Sequence, residues 1–246
     1  MTTLDPYHYS SKFLHDLDTP KIIYKSVGKY KKEDLQSWVQ EIQGKPVAGV
    51  FVGAPSKYYL GEMKLNEAYQ LCKNANTSSI LGGVSIFERH NANKSEHLKI
   101  IKKMEQGCSF FITQCVFNIG YAKDVLSELY YYCLVKGIEL PTIIFTLTTC
   151  GSRKTIDFMD WLGIHFPGWL RNELYHSQDI LAKSIDLSLE IAEEVMDFCI
   201  SKSIPFGINV ESVSIRKEEI EASVDLFDRV EKIMQLRLLP ALLETK

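Results

Sequence analysis

Short apolar stretches alternate with amphipathic stretches along nearly the whole chain. The apolar stretches predict six β-strands, at 21–27, 46–52, 80–87, 108–114, 141–148 and 204–210. Apolar residues at helical spacing predict helices at 32–43, 64–74, 94–106, 120–136, 152–162, 180–201 and 216–236. In the helix at 94–106, this spacing places Leu98, Ile101 and Met104 on one face and Lys99, Lys102 and Lys103 on the opposite face. Apolar strands that alternate with helices are typical of a parallel sheet covered by helices.

Two α/β architectures fit this alternation: a TIM-type (β/α)8 barrel and an open, doubly wound sheet. The sequence has no GxGxxG motif after its first strand and no GxxxxGK[ST] motif, so the usual phosphate-binding signatures of open sheets are missing. A barrel needs eight strands, and the 20 residues before Lys21 are too few for two further strand–helix units. We therefore expect a single barrel-type domain over residues 1–246, with six clear strand–helix units. The barrel is then either complete or lacks about two of its eight units.

Composition and charge exclude several classes of protein. The net charge of −3 and the pI of about 6.1 give no general attraction to nucleic acid or to a membrane surface. No apolar run approaches the length of about 20 residues that spans a bilayer, and residues 1–10 show no secretory signal. The six cysteines are scattered without metal-ligand spacing. These features predict a cytoplasmic protein with no metal site.

Polar residues collect where the predicted strands end. Glu88 and His90 follow the third strand, Gln114 ends the fourth, and Asn209 and Glu211 lie at the end of the sixth. In parallel α/β folds, ligands bind at the carboxyl ends of the strands. We therefore expect these five side chains to converge on one ligand site.

The fourth strand carries the motif Phe110-Phe111-Ile112-Thr113-Gln114, followed by Val116-Phe117, and a lysine-rich helix precedes it. In these features the chain resembles the methylenetetrahydrofolate reductase family, from about Lys21 to the last helix. The segments TLTTCGSRKTIDFMDWLGIHFPGWL and PFGINVESVSI also resemble later strands and turns of that family.

The resemblance implies a set of site residues. Gln114 would contact the pterin of a folate, with Phe117 and Asn209 also on the substrate side. An amide suits a pterin edge because it can both donate and accept hydrogen bonds in one plane. The residues implied on the flavin side are Gly53, Glu88, His90, Lys102 and Lys103.

The chain departs from the family pattern at three places. Ala54 stands where the family's L-R-G-D motif has its aspartate, and Tyr24 stands where the H-x-T-C motif has its histidine. Nothing in residues 1–20 resembles the family's F-E-F-F-P motif, which supplies the catalytic glutamate. Glu211, the only other carboxylate at a strand end besides Glu88, is then the best candidate for acid–base work.

The resemblance implies a folate-linked oxidoreductase of one-carbon and methionine metabolism. Such an enzyme converts 5,10-methylenetetrahydrofolate into the 5-methyl form, with FAD as the flavin and NAD(P)H as the electron donor. Two alternatives stay open: a non-catalytic pterin-binding or regulatory barrel subunit, and a pterin-dependent methyl-transfer component. The expected ligand is a reduced folate. The expected protein partner is either a second copy of the chain or a chain that completes the barrel.

Overall fold

A computed structural model describes residues 4–53, 61–74, 80–90 and 94–244, with only the backbone for 239–244. All six predicted strands are confirmed. They are β1 (Lys21–Ser26), β2 (Val47–Val52), β3 (Ile80–Ser85), β4 (Phe110–Cys115), β5 (Thr142–Leu147) and β6 (Phe206–Val210). Strand β4 begins two residues later than predicted and runs one residue past Gln114, so the predicted ligand residue lies within the strand.

The described residues also form nine α-helices. They are α1 (Pro6–Phe13), α2 (Lys32–Glu41), α3 (Leu65–Asn74), α4 (Glu96–Glu105), α5 (Ile119–Lys136), α6 (Arg153–Trp161), α7 (Gly168–His176), α8 (Ile180–Ser201) and α9 (Lys217–Glu244). Seven of them were predicted, whereas α1 and α7 were not. Helix α1 has a clear start signal, because Asp5 caps the backbone amides of Tyr7 and His8 and Pro6 occupies the first helical position.

The strands form one parallel sheet in the order β1-β2-β3-β4-β5-β6. The registers include Phe51 opposite Gly83 between β2 and β3, and Thr146 opposite Asn209 between β5 and β6. A doubly wound sheet reverses its strand order at a switch point, and this order has no reversal among the described strands. The order is the one expected of consecutive barrel strands, and closure into a barrel stays a prediction.

The chain divides into two compact units. The first contains residues 1–84 and 99–111, and the second contains residues 85–98 and 112–246. In the core of the first unit, the ring of Phe51 packs between those of Trp38 and Tyr69, with centroids 6.2 and 5.6 Å away. In the second unit, Phe87 packs edge-on against Phe145 at 6.2 Å. No helix in the part of the chain that the structure describes is both long and apolar enough to cross a membrane.

The buried face of helix α4 differs in part from the face predicted from the sequence. Leu98 is 47% exposed, whereas Ile100 and Ile101 are buried. Glu96 is also buried, because its carboxylate accepts hydrogen bonds from the hydroxyl of Ser85 and the backbone amide of Ile86. The predicted apolar face was therefore confirmed at Ile101 and wrong at Leu98. A satisfied acidic side chain such as Glu96 can take a buried position that hydrophobicity alone assigns to solvent.

Candidate functional site

A chain of hydrogen bonds joins the ends of β4, β5 and β6 in the second unit. The backbone amide of Thr146 donates to the hydroxyl of Thr113 at 3.0 Å, and the hydroxyl of Thr146 donates to the carbonyl of Thr113 at 2.7 Å. The amide of Asn209 then donates to the hydroxyl of Thr146 at 3.2 Å. The side chain of Asn209 is therefore held against β5.

Gln114 directly follows Thr113 in β4 and is half-buried. Among the described residues, no hydrogen bond to its side-chain amide is found. Phe117, three residues later, is only 5% exposed, and its ring lies 4.3 Å from that of Phe166. The side-chain amide of Gln114 is therefore unpaired among the described residues, whereas most of the surface of Phe117 is covered by protein.

Glu88 lies in the 3₁₀ turn Phe87–Arg89 that follows β3. Burial raises the pKa of its carboxyl to about 7, although the backbone amides of Glu88 itself and Phe117 donate to it and oppose the shift. Its Oε1 atom is buried and has no hydrogen-bond partner in the described part of the chain. Carboxyl groups whose pKa is shifted toward neutral pH cluster at functional sites.

The charges of Glu211 and Glu88 both influence the pKa of the thiol of Cys115, the last residue of β4. Burial raises the pKa of this thiol to about 12, and the charges of Glu211 and Glu88 add to the effect. The side chain of Glu211 as a whole is exposed, but partial burial of its carboxyl raises its pKa. The structure thus brings both predicted strand-end carboxylates within electrostatic range of one buried atom.

His90 is only 3% exposed and packs edge-on against His97, with ring centroids 5.8 Å apart. The Nδ1 atoms of both rings are buried and have no hydrogen-bond partner among the residues that the structure describes. Burial lowers the pKa of His97, the nearby His90 adds to this effect, and Glu128 opposes it. Sequence reasoning missed His97 because it lies inside helix α4, away from any strand end.

The remaining residues of the predicted flavin set lie in the first unit. Gly53 follows β2 and is exposed, and Lys102 is exposed on α4. Lys103 is half-buried, and its ammonium donates to the carbonyl of Val84. Tyr24 is partly exposed on β1, and Ala54 lies outside the described residues.

These surroundings fit a flavin only in part. The ammonium of Lys103 already pairs with a backbone carbonyl, and the ring of His90 is enclosed by protein. Lys102 keeps an exposed cation that suits a phosphate.

Sequence reasoning also missed a buried polar cluster around Glu219, near the start of α9. Its side chain is 1% exposed, and Oε1 accepts a hydrogen bond of 2.8 Å from the hydroxyl of Thr155. Gly151 lies so close that an added Cβ would come within 2.8 Å of the same carboxylate. Glu219 therefore holds the loop between β5 and α6 in place. No local signal in the sequence distinguishes it from the solvated glutamates beside it.

The chain was compared with protein families, curated proteins and solved structures. No protein-family model and no curated protein matches the chain. Among solved structures, it is similar to an uncharacterized protein from Clostridium thermocellum that binds two copies of 5-methyl-5,6,7,8-tetrahydrofolic acid. The two sequences are 48% identical, the match covers 95% of this chain and 80% of the other, and the TM-score is 0.86. The chain therefore belongs to the same protein family as this tetrahydrofolate-binding protein of Clostridium thermocellum.

Proposed function

We propose that this protein binds a reduced folate, with the pterin ring at the carboxyl ends of β4–β6. The observation that supports this most directly is the half-buried amide of Gln114, which makes no hydrogen bond among the described residues. The family member from Clostridium thermocellum binds 5-methyltetrahydrofolate, and an amide matches the mixed donor and acceptor edge of a pterin. Asn209, fixed by Thr146, adds a second amide at the neighbouring strand ends.

The carboxylates give this site its proposed selectivity for the reduced pterin. A reduced pterin carries several N–H donors, and Glu211 presents an exposed carboxylate at the rim. Glu88 has a carboxyl whose pKa is raised by burial to about 7, so it holds a proton in part of the molecules at neutral pH. A carboxyl in that state can donate to the pterin or accept from it.

Calorimetric titration of the purified protein tests folate binding. We expect saturable binding of 5-methyltetrahydrofolate and much weaker binding of fully oxidised folic acid, which has fewer ring N–H donors. Absence of heat with the reduced ligand, in protein shown by circular dichroism to be folded, would contradict the proposed folate binding. Equal affinity for the reduced and the oxidised form would contradict the selectivity assigned to Glu88 and Glu211.

We further propose a catalytic role of the methylenetetrahydrofolate reductase type, which the near-neutral pKa of Glu88 favours. A bound flavin, reduced by NAD(P)H, would supply the hydride for 5,10-methylenetetrahydrofolate. Glu88 and Glu211 are the residues of this chain that would hold or release the accompanying proton. Because Ala54 and Tyr24 stand where the family pattern has two flavin-side residues, we expect the protein to bind the reduced folate more readily than FAD.

The absorption spectrum of the purified protein and a turnover assay separate the functional alternatives. A retained flavin band with NAD(P)H-dependent formation of 5-methyltetrahydrofolate supports the reductase and contradicts the expected weakness of FAD binding. Folate binding with no flavin band, and no turnover when FAD is added, supports a pterin-binding subunit or a methyl-transfer component.

The Clostridium thermocellum protein binds two copies of its folate, so we propose that this chain also binds two.

A further inference from the structure

A surface groove of about 380 Å³ lies beside α5, α7 and α8 in the second unit. We call it the Trp169 groove. The residues that give it its chemistry are Lys123, Trp169, Leu187, Glu190, Ile191 and Glu194. Gln114 does not line it, although Phe117, three residues further along the chain, does. The groove has the volume of a small-molecule site.

The groove has an apolar floor and an aromatic wall. Leu187 and Ile191 on α8 are 5% and 3% exposed, so they form a packed floor. Trp169, in the first turn of α7, is 59% exposed and lines the groove. An exposed indole next to buried aliphatic side chains is a suitable surface for stacking a flat heteroaromatic ring.

The rim of the groove is acidic. Lys123 and Glu194 form an ion pair with 2.7 Å between Nζ and Oε2, so each compensates the charge of the other. Glu190, one helical turn from Glu194 on α8, has no hydrogen-bond or ion-pair partner in the described part of the chain. One uncompensated carboxylate therefore remains, and it favours a ligand edge that presents N–H donors.

We propose that the Trp169 groove binds the pterin ring of the second folate molecule. This inference rests on the proposed folate function and assigns a place to the second copy. The ring would stack on Trp169, and its 2-amino and N3–H groups would both donate to the carboxylate of Glu190. The glutamate tail of a folate is anionic, so the acidic rim directs it toward solvent and selects the pterin end for the groove.

Stoichiometry measured by calorimetry with 5-methyltetrahydrofolate tests the assignment. We expect two molecules per chain for the wild type and for Trp161→Ala, a matched control that removes another exposed tryptophan of the same unit outside the groove. Trp169→Ala and Glu190→Gln should each bind one molecule at the same ligand concentrations, with at least about tenfold weaker binding at the lost site. Gln114→Ala should weaken the other site.

The possible outcomes distinguish failure of the proposed folate binding from failure of the groove assignment. No binding by the wild type overturns the proposed folate function itself. One molecule bound by the wild type, or two bound by Trp169→Ala and Glu190→Gln with unchanged affinities, leaves that function standing and overturns the groove assignment. Weakening of a single shared site by Gln114→Ala and Glu190→Gln alike also overturns it, because one folate would then span both positions. Glu190→Gln conserves shape, so its result stands even if Trp169→Ala fails to fold.

Discussion

Thr146 and Asn209 face each other across β5 and β6, and the Asn209 amide donates a hydrogen bond of 3.2 Å to the Thr146 hydroxyl. Thr146 is completely buried, and its own hydroxyl proton goes to the carbonyl of Thr113 at 2.7 Å. One side chain thus fixes a predicted ligand residue on β6 relative to β4, the strand that carries Gln114.

Replacing Thr146 by valine keeps the side-chain shape and removes the hydroxyl. Two polar partners, the amide of Asn209 and the carbonyl of Thr113, then lose a hydrogen bond. We expect the free energy of unfolding to fall by about 1–3 kcal/mol and the affinity for 5-methyltetrahydrofolate to fall as well. Chemical denaturation and calorimetry measure the two effects. Thr142→Val, at the half-exposed start of the same strand, is the control. Equal behaviour of the two variants would contradict the role given to Thr146.

Gln114→Ala should weaken binding of a reduced folate by about 1–3 kcal/mol, the typical cost of leaving a buried polar partner unpaired. Since the Gln114 amide makes no hydrogen bond among the described residues, the unfolding free energy should change little. Gln235→Ala, which removes an exposed glutamine from α9, is the matched control and should bind as the wild type does. Unchanged affinity of Gln114→Ala would remove this residue from the site.

The raised pKa of Glu88 predicts a pH dependence of stability. Burial raises the pKa to about 7 in the folded protein, above its usual value in the unfolded chain, so the folded protein binds more protons between these two values. Stability should therefore fall as the pH rises from about 5 to about 8. Glu88→Gln carries a neutral amide that resembles the protonated carboxyl. This variant should lose the contribution of Glu88 to the pH dependence of stability.

Thermal unfolding across this pH range measures the effect of Glu88. Glu139→Gln, an exposed carboxylate before β5, should keep the wild-type dependence. A Glu88→Gln variant whose melting temperature follows the wild-type curve at every pH would show that Glu88 titrates in its ordinary range.

Asp5 and Lys25 in the first unit form a partly buried ion pair that can be tested separately. Lys25 is 3% exposed, and its ammonium donates to Oδ2 of Asp5, which also accepts from the hydroxyl of Tyr30 at 2.6 Å. Burial alone would raise the pKa of Asp5, but the hydrogen bonds from Lys25 and Tyr30 outweigh it and lower the pKa. The stability from this pair should therefore be lost as the pH falls through the lowered pKa.

Asp5→Ala leaves the buried ammonium of Lys25 without its partner and removes the cap of α1. We expect a loss of about 3–5 kcal/mol of unfolding free energy. The double variant Asp5→Ala/Lys25→Met should recover part of this loss, because it removes the uncompensated charge. Asp18→Ala, at an exposed position, is the control for urea denaturation. Additive losses in the double variant would show that the pair is not coupled.

The sequence by itself determined the six strands, seven of the nine helices of the described residues, and their order along the chain. The strands and long helices were predictable because burial on both faces of a strand and on one stripe of a helix leaves a local pattern of apolar residues. It also located Glu88, Gln114, Asn209 and Glu211 at the strand ends, because the apolar pattern stops there. The short helices α1 and α7, each begun at a proline, were missed because their apolar periodicity is weak.

Only the tertiary structure decided which polar groups are buried and what satisfies them. Glu96 and Lys103 lie against the end of β3, and their partners are Ser85, Ile86 and Val84. Glu219 is bonded to Thr155, a residue 64 positions away. A polar side chain has the same local sequence pattern whether it faces water or a distant hydrogen-bond partner. Its burial becomes favourable only when the folded chain supplies that partner.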